Sequence, residues 1–330
     1  MTQQLEYKHQ LKIPVLLGPT ASGKTDLAYH LAVEFGGEVI SADSRQIYRE
    51  LTIGSGKPSN EMLKTITHHF INERTLPEPY DAATFAQEAW ERIQDCIQRG
   101  KIPIVAGGST LYLKALINGF SEFPKPDLEL REKLQRRLAS SSLASLYEEL
   151  KEKDPQRAAS IDPSNPHRVI RSLEVVIQTG TSFSELAKKK FFISPYGFDV
   201  YLLSLVRSEL YRKIDLRIDE MLENGFEAEA KKIFDQFGYE SSISALETVG
   251  YKEFFSFFRE AFSKEEAVML MKQHTRNYAK RQETYFRNQF EFTRIDAAQP
   301  ISERMLAVTK VSSIFSTGSL TKLSNFSVSN

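Results

Sequence analysis

Short apolar runs alternate with amphipathic segments through the first 120 residues. The runs KIPVLLG, GEVISAD and KIPIVAGG have the length and continuity of buried strands. The segment GKTDLAYHLAVEFG follows the first run with helical spacing, and FAQEAWERIQDCIQRG ends on the glycine expected just after a helix. Strands that alternate with helices in this way predict an α/β fold with a parallel, doubly wound sheet.

The pattern changes after residue 120. Between Leu128 and Lys190 the apolar positions recur only with helical spacing, and YLLSLV then restores a strand pattern. Two long amphipathic helices follow, and the chain ends in a serine-rich, nearly uncharged stretch that we predict to be a mobile tail. The predicted parts are the first core segment 1–120, a helical insertion 121–195, the return to the core with C-terminal helices 196–300, and the tail 301–330.

Composition adds three limits. The 330 residues are 41% hydrophobic with a formal net charge of zero, so any surface for a polyanion must be a local patch. The single cysteine, Cys96, argues against a disulfide framework or a cysteine-based zinc site and is typical of a reducing compartment. The polar N-terminus, together with the lack of an apolar run of about 20 residues, predicts a cytoplasmic protein without a membrane segment.

The segment GPTASGKT fits the pattern of a phosphate-binding P-loop, and it lies between a predicted strand and a predicted helix. Its glycines allow backbone N–H groups to face an anion, while a lysine adds positive charge and a threonine hydroxyl can bind Mg²⁺. We therefore predict a diphosphate site with Thr25 as the magnesium ligand. The predicted site consists of Gly18, Pro19, Thr20, Ala21, Ser22, Gly23, Lys24 and Thr25.

Two further strand ends carry polar side chains. Asp43 follows the second predicted strand, and Ser109 follows the third beside two glycines. Ligands of parallel sheets bind at the carboxyl ends of the strands, so the three junctions are expected to face one crevice. Asp43 could act there as a general base or metal ligand, or it could only cap the next element; the pattern leaves both open.

Basic residues cluster on two predicted helices. His167, Arg168 and Arg171 share one face of the helix that begins at NPHRVIRSLE. Such stripes are usually solvated faces, but two of them in a chain of zero net charge favour a partner with a phosphate backbone. The paired histidines of HHF are too isolated to indicate a metal site. The second stripe, on the last long helix, contains Lys272, Arg276, Lys280 and Arg287.

These residues alone leave two enzyme classes open. A small-molecule or nucleotide kinase would use the same loop for ATP, with arginines as a lid. A prenyltransferase would use it for a diphosphate leaving group. A regulatory GTP switch is disfavoured because the guanine-specific Asn-Lys-x-Asp pattern is missing from the sequence.

Taken together, the motifs resemble those of bacterial tRNA dimethylallyltransferases over residues 13–287. The serine of GGSTLY, Ser109, stands where that family usually has threonine. The resemblance rests on a whole set of motifs in the family's order, which is more specific than any one loop. The motifs, in chain order, are GPTASGKT, SADSRQIY, GSGKPS, HHFIN, GGSTLYLKAL, NPHRVIRSLEV, RIDEML and VGYKE.

The resemblance implies that the chain is a Mg²⁺-dependent, monomeric enzyme. It would transfer a dimethylallyl group from dimethylallyl diphosphate to the exocyclic amine of the adenosine just 3′ of the anticodon. Its partner would be the tRNA anticodon stem-loop, and Asp43, Ser109 and Arg217 would act in catalysis. The implied tRNA-binding residues are Asp43, Ser44, Arg45, Gln46, Ser109, Arg131, His167, Arg168, Val169, Ile170, Arg171, Gly250, Lys252, Lys272, Arg276 and Lys280.

Overall fold

A six-stranded sheet organises the larger of two units in this computed structural model. The structure describes residues 12–189, 191–238, 243–261 and 263–315. All neighbouring strands of the sheet are parallel, in the order β3–β2–β4–β1–β7–β8. The strands are β1 (Lys12–Leu17), β2 (Gly37–Ala42), β3 (His68–His69), β4 (Ile102–Gly107), β5 (Phe120–Ser121), β6 (Phe191–Phe192), β7 (Gly197–Ser204) and β8 (Thr293–Asp296), of which β5 and β6 form a separate antiparallel pair.

The central strands are buried on both faces, in agreement with their uninterrupted apolar runs. Successive residues of β1 from Ile13 to Leu17 are buried, and so is every residue of β2 and β4. The crossover connections of a parallel sheet place helices on both of its faces, so side chains on both faces of the central strands are buried. The predicted α/β fold with a parallel sheet is therefore confirmed.

Helices supply the cover and the connections. The bounds are α1 (Lys24–Phe35), α2 (Asn60–Thr65), α3 (Ala82–Gln98), α4 (Thr110–Asn118), α5 (Leu128–Ser140), α6 (Leu143–Lys153), α7 (Pro155–Ser160), α8 (Pro166–Thr179), α9 (Phe183–Lys189), α10 (Arg207–Glu223), α11 (Phe226–Phe237), α12 (Tyr251–Phe258), α13 (Lys264–Gln289) and α14 (Ile301–Thr309).

Two units share the chain. The sheet unit contains the residues up to Ile117 and those from Ser194 on, and the second unit is Asn118–Ile193. The second unit holds α5–α9 and the short β5–β6 pair, and Leu146, Leu150 and Leu173 are fully buried in its own apolar core. The helical periodicity of this segment did not reveal the two short strands.

The C-terminal region requires one correction. Residues 301–315, which the sequence pattern places in a mobile tail, form α14 and a short 3-10 turn, with Val308 and Ile314 fully buried. These apolar side chains pack on the core of the sheet unit, a contact that local composition does not reveal. The serine-rich remainder of the predicted tail, from residue 316 on, lies outside the described residues. Across the described ranges, the structure has no helix with the length and apolarity needed to cross a membrane.

Candidate active site

Three strand ends open into one crevice of about 390 Å³ at the carboxyl edge of the sheet. The register pairs Leu17 with Gly107, and Gly107 with Ala42, so the residues that follow β1, β4 and β2 lie side by side. Gly107 is required by this close approach, because a Cβ there would lie 2.2 Å from the Ala42 carbonyl oxygen. The crevice is thus formed by the P-loop, the Asp43 turn and the Ser109 turn.

Lys24 lies at the start of α1 and faces the crevice. Its ammonium donates to the Pro19 carbonyl at 2.8 Å. Burial, and to a smaller extent the nearby Arg217, lower the pKa of Lys24 to about 7 against the opposing effect of Asp43. An anion bound beside this ammonium would restore its charge, because opposite charges favour the ionised form.

Asp43 caps the turn that follows β2 and also lines the crevice. Its Oδ1 accepts hydrogen bonds from the backbone N–H groups of Arg45, at 2.8 Å, and Gln46, at 3.3 Å. The capping role that the sequence left open is therefore present in the structure. A catalytic role for the same carboxylate stays a prediction.

Ser109 holds this turn from the neighbouring strand. Its hydroxyl accepts from the Ser44 backbone N–H at 2.8 Å and donates to the Ser44 hydroxyl at 3.1 Å. Its own backbone N–H donates to the Ala42 carbonyl at 3.1 Å. Ser109 thus links the β4 and β2 junctions through the residues on either side of Asp43.

Arg217 is the member of its arginine-rich helix, α10, that lines the crevice. Its guanidinium donates to the Gly56 carbonyl at 3.3 Å, and Gln46 donates to the same oxygen at 3.0 Å. Gly56 has φ of +59°, and a Cβ there would lie 1.6 Å from the Arg217 Nη2. Burial lowers the pKa of Arg217, while Asp43 raises it.

The loop that carries Gly56 is held by Glu229, a residue that sequence reasoning missed. The Glu229 carboxylate accepts from the backbone N–H groups of Thr52, Ile53 and Gly54 at 2.8–3.1 Å. Tyr251, in the motif VGYKE, donates its hydroxyl to the same carboxylate at 2.6 Å. One side chain therefore fixes three consecutive amides at the start of the loop that lines the crevice through Gly54, Ser55 and Gly56.

Gln282 is a second residue that the sequence did not reveal. Its amide oxygen accepts from the Thr20 backbone N–H at 3.0 Å, and its NH₂ donates to the Gly108 carbonyl at 2.8 Å. The side chain is buried and lies on the α13 face that also buries Ala279 and Phe286. A glutamine on the apolar face of an amphipathic helix is unusual, and this was the one feature of the sequence that could have pointed to Gln282. In the structure its side chain joins the P-loop to the turn after β4.

Part of the crevice lining is apolar. It comprises five side chains from α10, the loop before α12, and α13: Ile214, Ile218, Met221, Val249 and Met271. A crevice with an anion-binding loop and a hydrocarbon-lined wall suits a ligand that has a charged head and an apolar group.

The remaining residues predicted for tRNA binding in the sheet unit differ in their contacts. Arg45 donates to the Thr248 hydroxyl, and Lys252 is exposed at the crevice rim, just after the buried Gly250. Three cations of the α13 stripe are ion-paired, and Lys280 is exposed. The pairs are Lys272 with Asp219 (2.5 Å), Arg276 with Asp215 (2.8 Å) and Arg287 with Glu283 (2.6 Å).

The residues predicted for tRNA binding in the second unit also differ in exposure and ion pairing. His167 and Arg168 are exposed at the start of α8, whereas the side chains of Val169 and Ile170 are buried in the unit's core. Any contact of these two with tRNA would have to come from the helix backbone. Arg131 and Arg171 are half-buried and both pair with the fully buried Glu174, at 2.7 Å and 3.2 Å.

A buried cluster joins residues of β2, β3 and α3 that are far apart in the sequence. Polar side-chain atoms of Glu38, His69 and Cys96 lie within 4.8 Å of one another. The sequence did not predict this cluster, because its three residues do not form a local motif. The Glu38 carboxylate accepts from both Arg99 and His69. Hydrogen bonds, chiefly those from Arg99, lower the pKa of Glu38 to about 2 against the opposing effect of burial, so an internal cation already pairs with this carboxylate.

The parallel sheet, the P-loop at its carboxyl edge and the adjoining carboxylate define an α/β enzyme of the P-loop type. Comparison with known proteins narrows this class. The chain belongs to the IPP transferase family, whose family model matches residues 46–289. It is 50% identical over 285 residues to the tRNA dimethylallyltransferase of Chlorobium luteolum, in a match that covers 84% of this chain and 94% of the relative.

Solved structures agree. The full-length tRNA isopentenylpyrophosphate transferase from Bacillus halodurans is 33% identical, with a TM-score of 0.67 over 96% of this chain and 98% of that one. A eukaryotic dimethylallyltransferase acting on tRNA is 28% identical, with a TM-score of 0.72 over 92% of this chain and 76% of that one. The resemblance drawn from the motifs is therefore confirmed at the level of the family and fold.

Proposed function

We propose that this chain transfers the dimethylallyl group of dimethylallyl diphosphate to the exocyclic amine of the adenosine just 3′ of the anticodon in tRNA. One observation carries the proposal: a P-loop and an apolar wall face the same crevice. Such a crevice matches a donor with a diphosphate head and a branched five-carbon chain. The named relatives support this transfer and not the kinase alternative.

The diphosphate would bind at the P-loop. Backbone N–H groups of the loop, the Lys24 ammonium and the Arg217 guanidinium would receive its negative charge. The Thr25 hydroxyl lines the same crevice and offers a hard oxygen ligand of the kind that Mg²⁺ prefers. When bound there with the diphosphate, Mg²⁺ would neutralise charge on the leaving group.

The chemical step is a substitution at the first carbon of the dimethylallyl group. A bond forms between this carbon and the adenine nitrogen while its bond to the diphosphate oxygen breaks, and diphosphate leaves. The adenine amine is a poor nucleophile because its lone pair is delocalised into the ring. Asp43 would take the proton that the amine loses, with Ser109 holding the turn in position.

The tRNA would present the target adenosine out of its stack, since a stacked base cannot reach a crevice. Exposed cations such as Arg168 and Lys252 would contact phosphates of the anticodon stem-loop. We further propose that the enzyme acts as a monomer in the cytoplasm.

The test is transfer of label from radioactive dimethylallyl diphosphate to tRNA. Label should enter a transcript with adenosine 3′ of the anticodon and should not enter the same transcript with guanosine there. Thermal unfolding in the presence of each ligand gives an independent arm, because a ligand that binds the native state stabilises it. Transfer of a phosphoryl group from ATP, with stronger protection by ATP than by the prenyl donor, would contradict the proposal.

A further inference from the structure

The C-terminal helix α14 lies against α1, the helix that begins at the P-loop. The C-terminal segment contacts α1 near both of its ends. Near the N-terminus of α1, a Cβ on Gly23 would lie 3.0 Å from the Nη1 atom of Arg304, which belongs to α14. Near the C-terminus of α1, the ring centroids of Phe35 and Phe315 lie 5.0 Å apart. The C-terminal segment therefore holds Arg304 beside the turn that leads from the P-loop into α1.

The guanidinium of Arg304 is unpaired within the part of the chain that the structure describes. Its Nε is buried and has no hydrogen-bond partner there, and no described carboxylate forms an ion pair with it. Even Asp26, in the first turn of α1, is not its partner in the described structure. A buried donor without an acceptor is unfavourable, because its N–H group has lost its bonds to water. An anion that binds nearby would offset this cost, so the unpaired arginine points to a ligand.

The N-terminus of α1 provides a second reason to expect an anion here. Gly23 is the N-cap residue, with φ of +81°, and it has no side chain that could accept from the first-turn amides. Among the described residues, the backbone N–H groups of Lys24 and Thr25 have no acceptor. Free amides and the positive end of the helix dipole both favour a bound anion. The same dipole disfavours a cation, so the protein alone gains nothing from the charge of Arg304 at this position.

Arg304 reaches the candidate site through Gly23. It is not among the described residues that line the crevice, whereas Lys24 and Thr25, which follow Gly23, are. The guanidinium approaches the backbone of the loop this closely because Gly23 has no side chain. It therefore limits how far the turn at Gly23 can move, and this turn sets the direction of the two amides that follow it.

We propose that Arg304 is a positioning residue for the prenyl donor: its guanidinium supports the turn at Gly23 and adds positive charge at the N-terminus of α1, where the diphosphate binds. The inference rests on the proposed function, which places the diphosphate of the donor at the P-loop. Arg304 is then a third cation of the diphosphate site, supplied by the C-terminal helix in addition to Lys24 and Arg217 of the crevice. The bound diphosphate brings the negative charge that Arg304 lacks in the described structure.

The experiment measures the binding of inorganic diphosphate with Mg²⁺ by calorimetry and by thermal unfolding. Arg304→Met removes the charge and should weaken this binding about 3- to 10-fold, the scale of one charge acting over several ångströms. Its thermal midpoint without ligand should equal or exceed that of the wild type, because a cation has left the N-terminus of a helix. Arg304→Lys keeps the charge and should keep most of the affinity. Lys310→Met is the matched control, since it removes an exposed cation about 9 Å farther along α14.

Label transfer to tRNA separates this role from the proposed function. Arg304→Met should raise the donor KM while the rate at saturating donor and the affinity for tRNA stay at the wild-type values. Wild-type label transfer, with diphosphate affinity unchanged in Arg304→Met, would overturn the positioning role and leave the proposed function intact. An equal loss of affinity in Lys310→Met would also overturn it, because the effect would then come from net charge alone. A wild-type enzyme that binds diphosphate but does not label tRNA would overturn the function, whereas weaker diphosphate binding by Arg304→Met would still support the role at Gly23.

Discussion

Asp43 combines two roles that can be separated by substitution. Its Oδ1 accepts two backbone hydrogen bonds in the turn after β2, and the carboxylate also faces the crevice. The substitution Asp43→Asn keeps an oxygen acceptor for the turn, but the amide that replaces the carboxylate cannot take a proton at neutral pH. Asp43→Ala removes both the acceptor and the base.

The two roles differ in expected size. Loss of a capping side chain costs about 1 kcal/mol, which corresponds to roughly a 5-fold change. Loss of a positioned general base costs about 10²–10⁴-fold in rate, or roughly 2.7–5.5 kcal/mol in activation free energy. A base and a cap therefore predict rates for Asp43→Asn that differ by at least an order of magnitude.

The assay is the single-turnover rate with saturating donor and tRNA. We expect both variants to lose about 10²–10⁴-fold while tRNA binding is retained. Asp81→Asn is the matched control, because Asp81 also accepts from a backbone N–H, that of Thr84, at the start of α3. A wild-type rate for Asp43→Asn, with a mild defect in Asp43→Ala, would refute the catalytic role and leave only the cap.

Further predictions concern the donor site, the crevice wall and the second unit. Lys24, whose pKa is about 7, should gain a proton when the donor binds. Because donor binding raises the pKa of Lys24, the affinity for the donor should be highest below pH 7 and should fall as the pH rises above 7. Calorimetry in buffers of different ionisation enthalpy measures the proton uptake on binding. Equal proton uptake by Lys24→Arg would contradict the assignment to Lys24. Ser109→Ala should slow the single-turnover rate about 5-fold, because it loses a hydrogen bond worth about 1 kcal/mol. Ser109→Thr keeps a hydroxyl and should be tolerated. An unchanged rate for Ser109→Ala would show that Ser109 is not part of the catalytic site. Glu229→Ala should raise the donor KM more than the tRNA Kd, because it releases three amides of the loop that continues into the crevice wall. Glu229→Gln should rescue part of this loss, whereas an unchanged donor KM for Glu229→Ala would show that the loop keeps its conformation without this carboxylate. Arg168→Ala should weaken tRNA binding at an unchanged thermal midpoint. Arg171→Ala should lower the thermal midpoint, because it removes a partner of the buried Glu174 carboxylate. The reverse pattern would contradict this division between an exposed arginine and a structural one.

The sheet core and the P-loop were predictable because local pattern determines them. An apolar run bounded by turn residues is buried wherever the sheet forms, and the P-loop pattern lies between β1 and α1 as its context requires. Strands β3 and β8 escaped prediction because they have only two and four residues. Such short segments carry too little periodicity to be distinguished from loops.

The partners of individual side chains could not be predicted from periodicity. Lys272 and Arg276 share a stripe on α13 with Lys280, but the first two meet carboxylates of α10, and Arg276 reaches one 61 residues away in sequence. Glu229 likewise reaches Gly54 across 175 residues. Spacing shows which residues share a face of a helix, whereas the carboxylates of the neighbouring helix determine which of them are ion-paired.

Charge in the crevice supports a diphosphate ligand on grounds independent of motif. Two cations, Lys24 and Arg217, lie close together beside Asp43, and burial lowers the pKa of both although Asp43 raises it, as Asp26 and Glu220 do for Arg217. Desolvated cations cost stability in the absence of a ligand, since burial disfavours the charged form. A diphosphate with its magnesium ion would bring the negative charge that this arrangement lacks. The P-loop, Arg217 and Asp43 come from three separate segments, so an electrostatic deficit shared among them is better explained by a ligand than by the needs of folding.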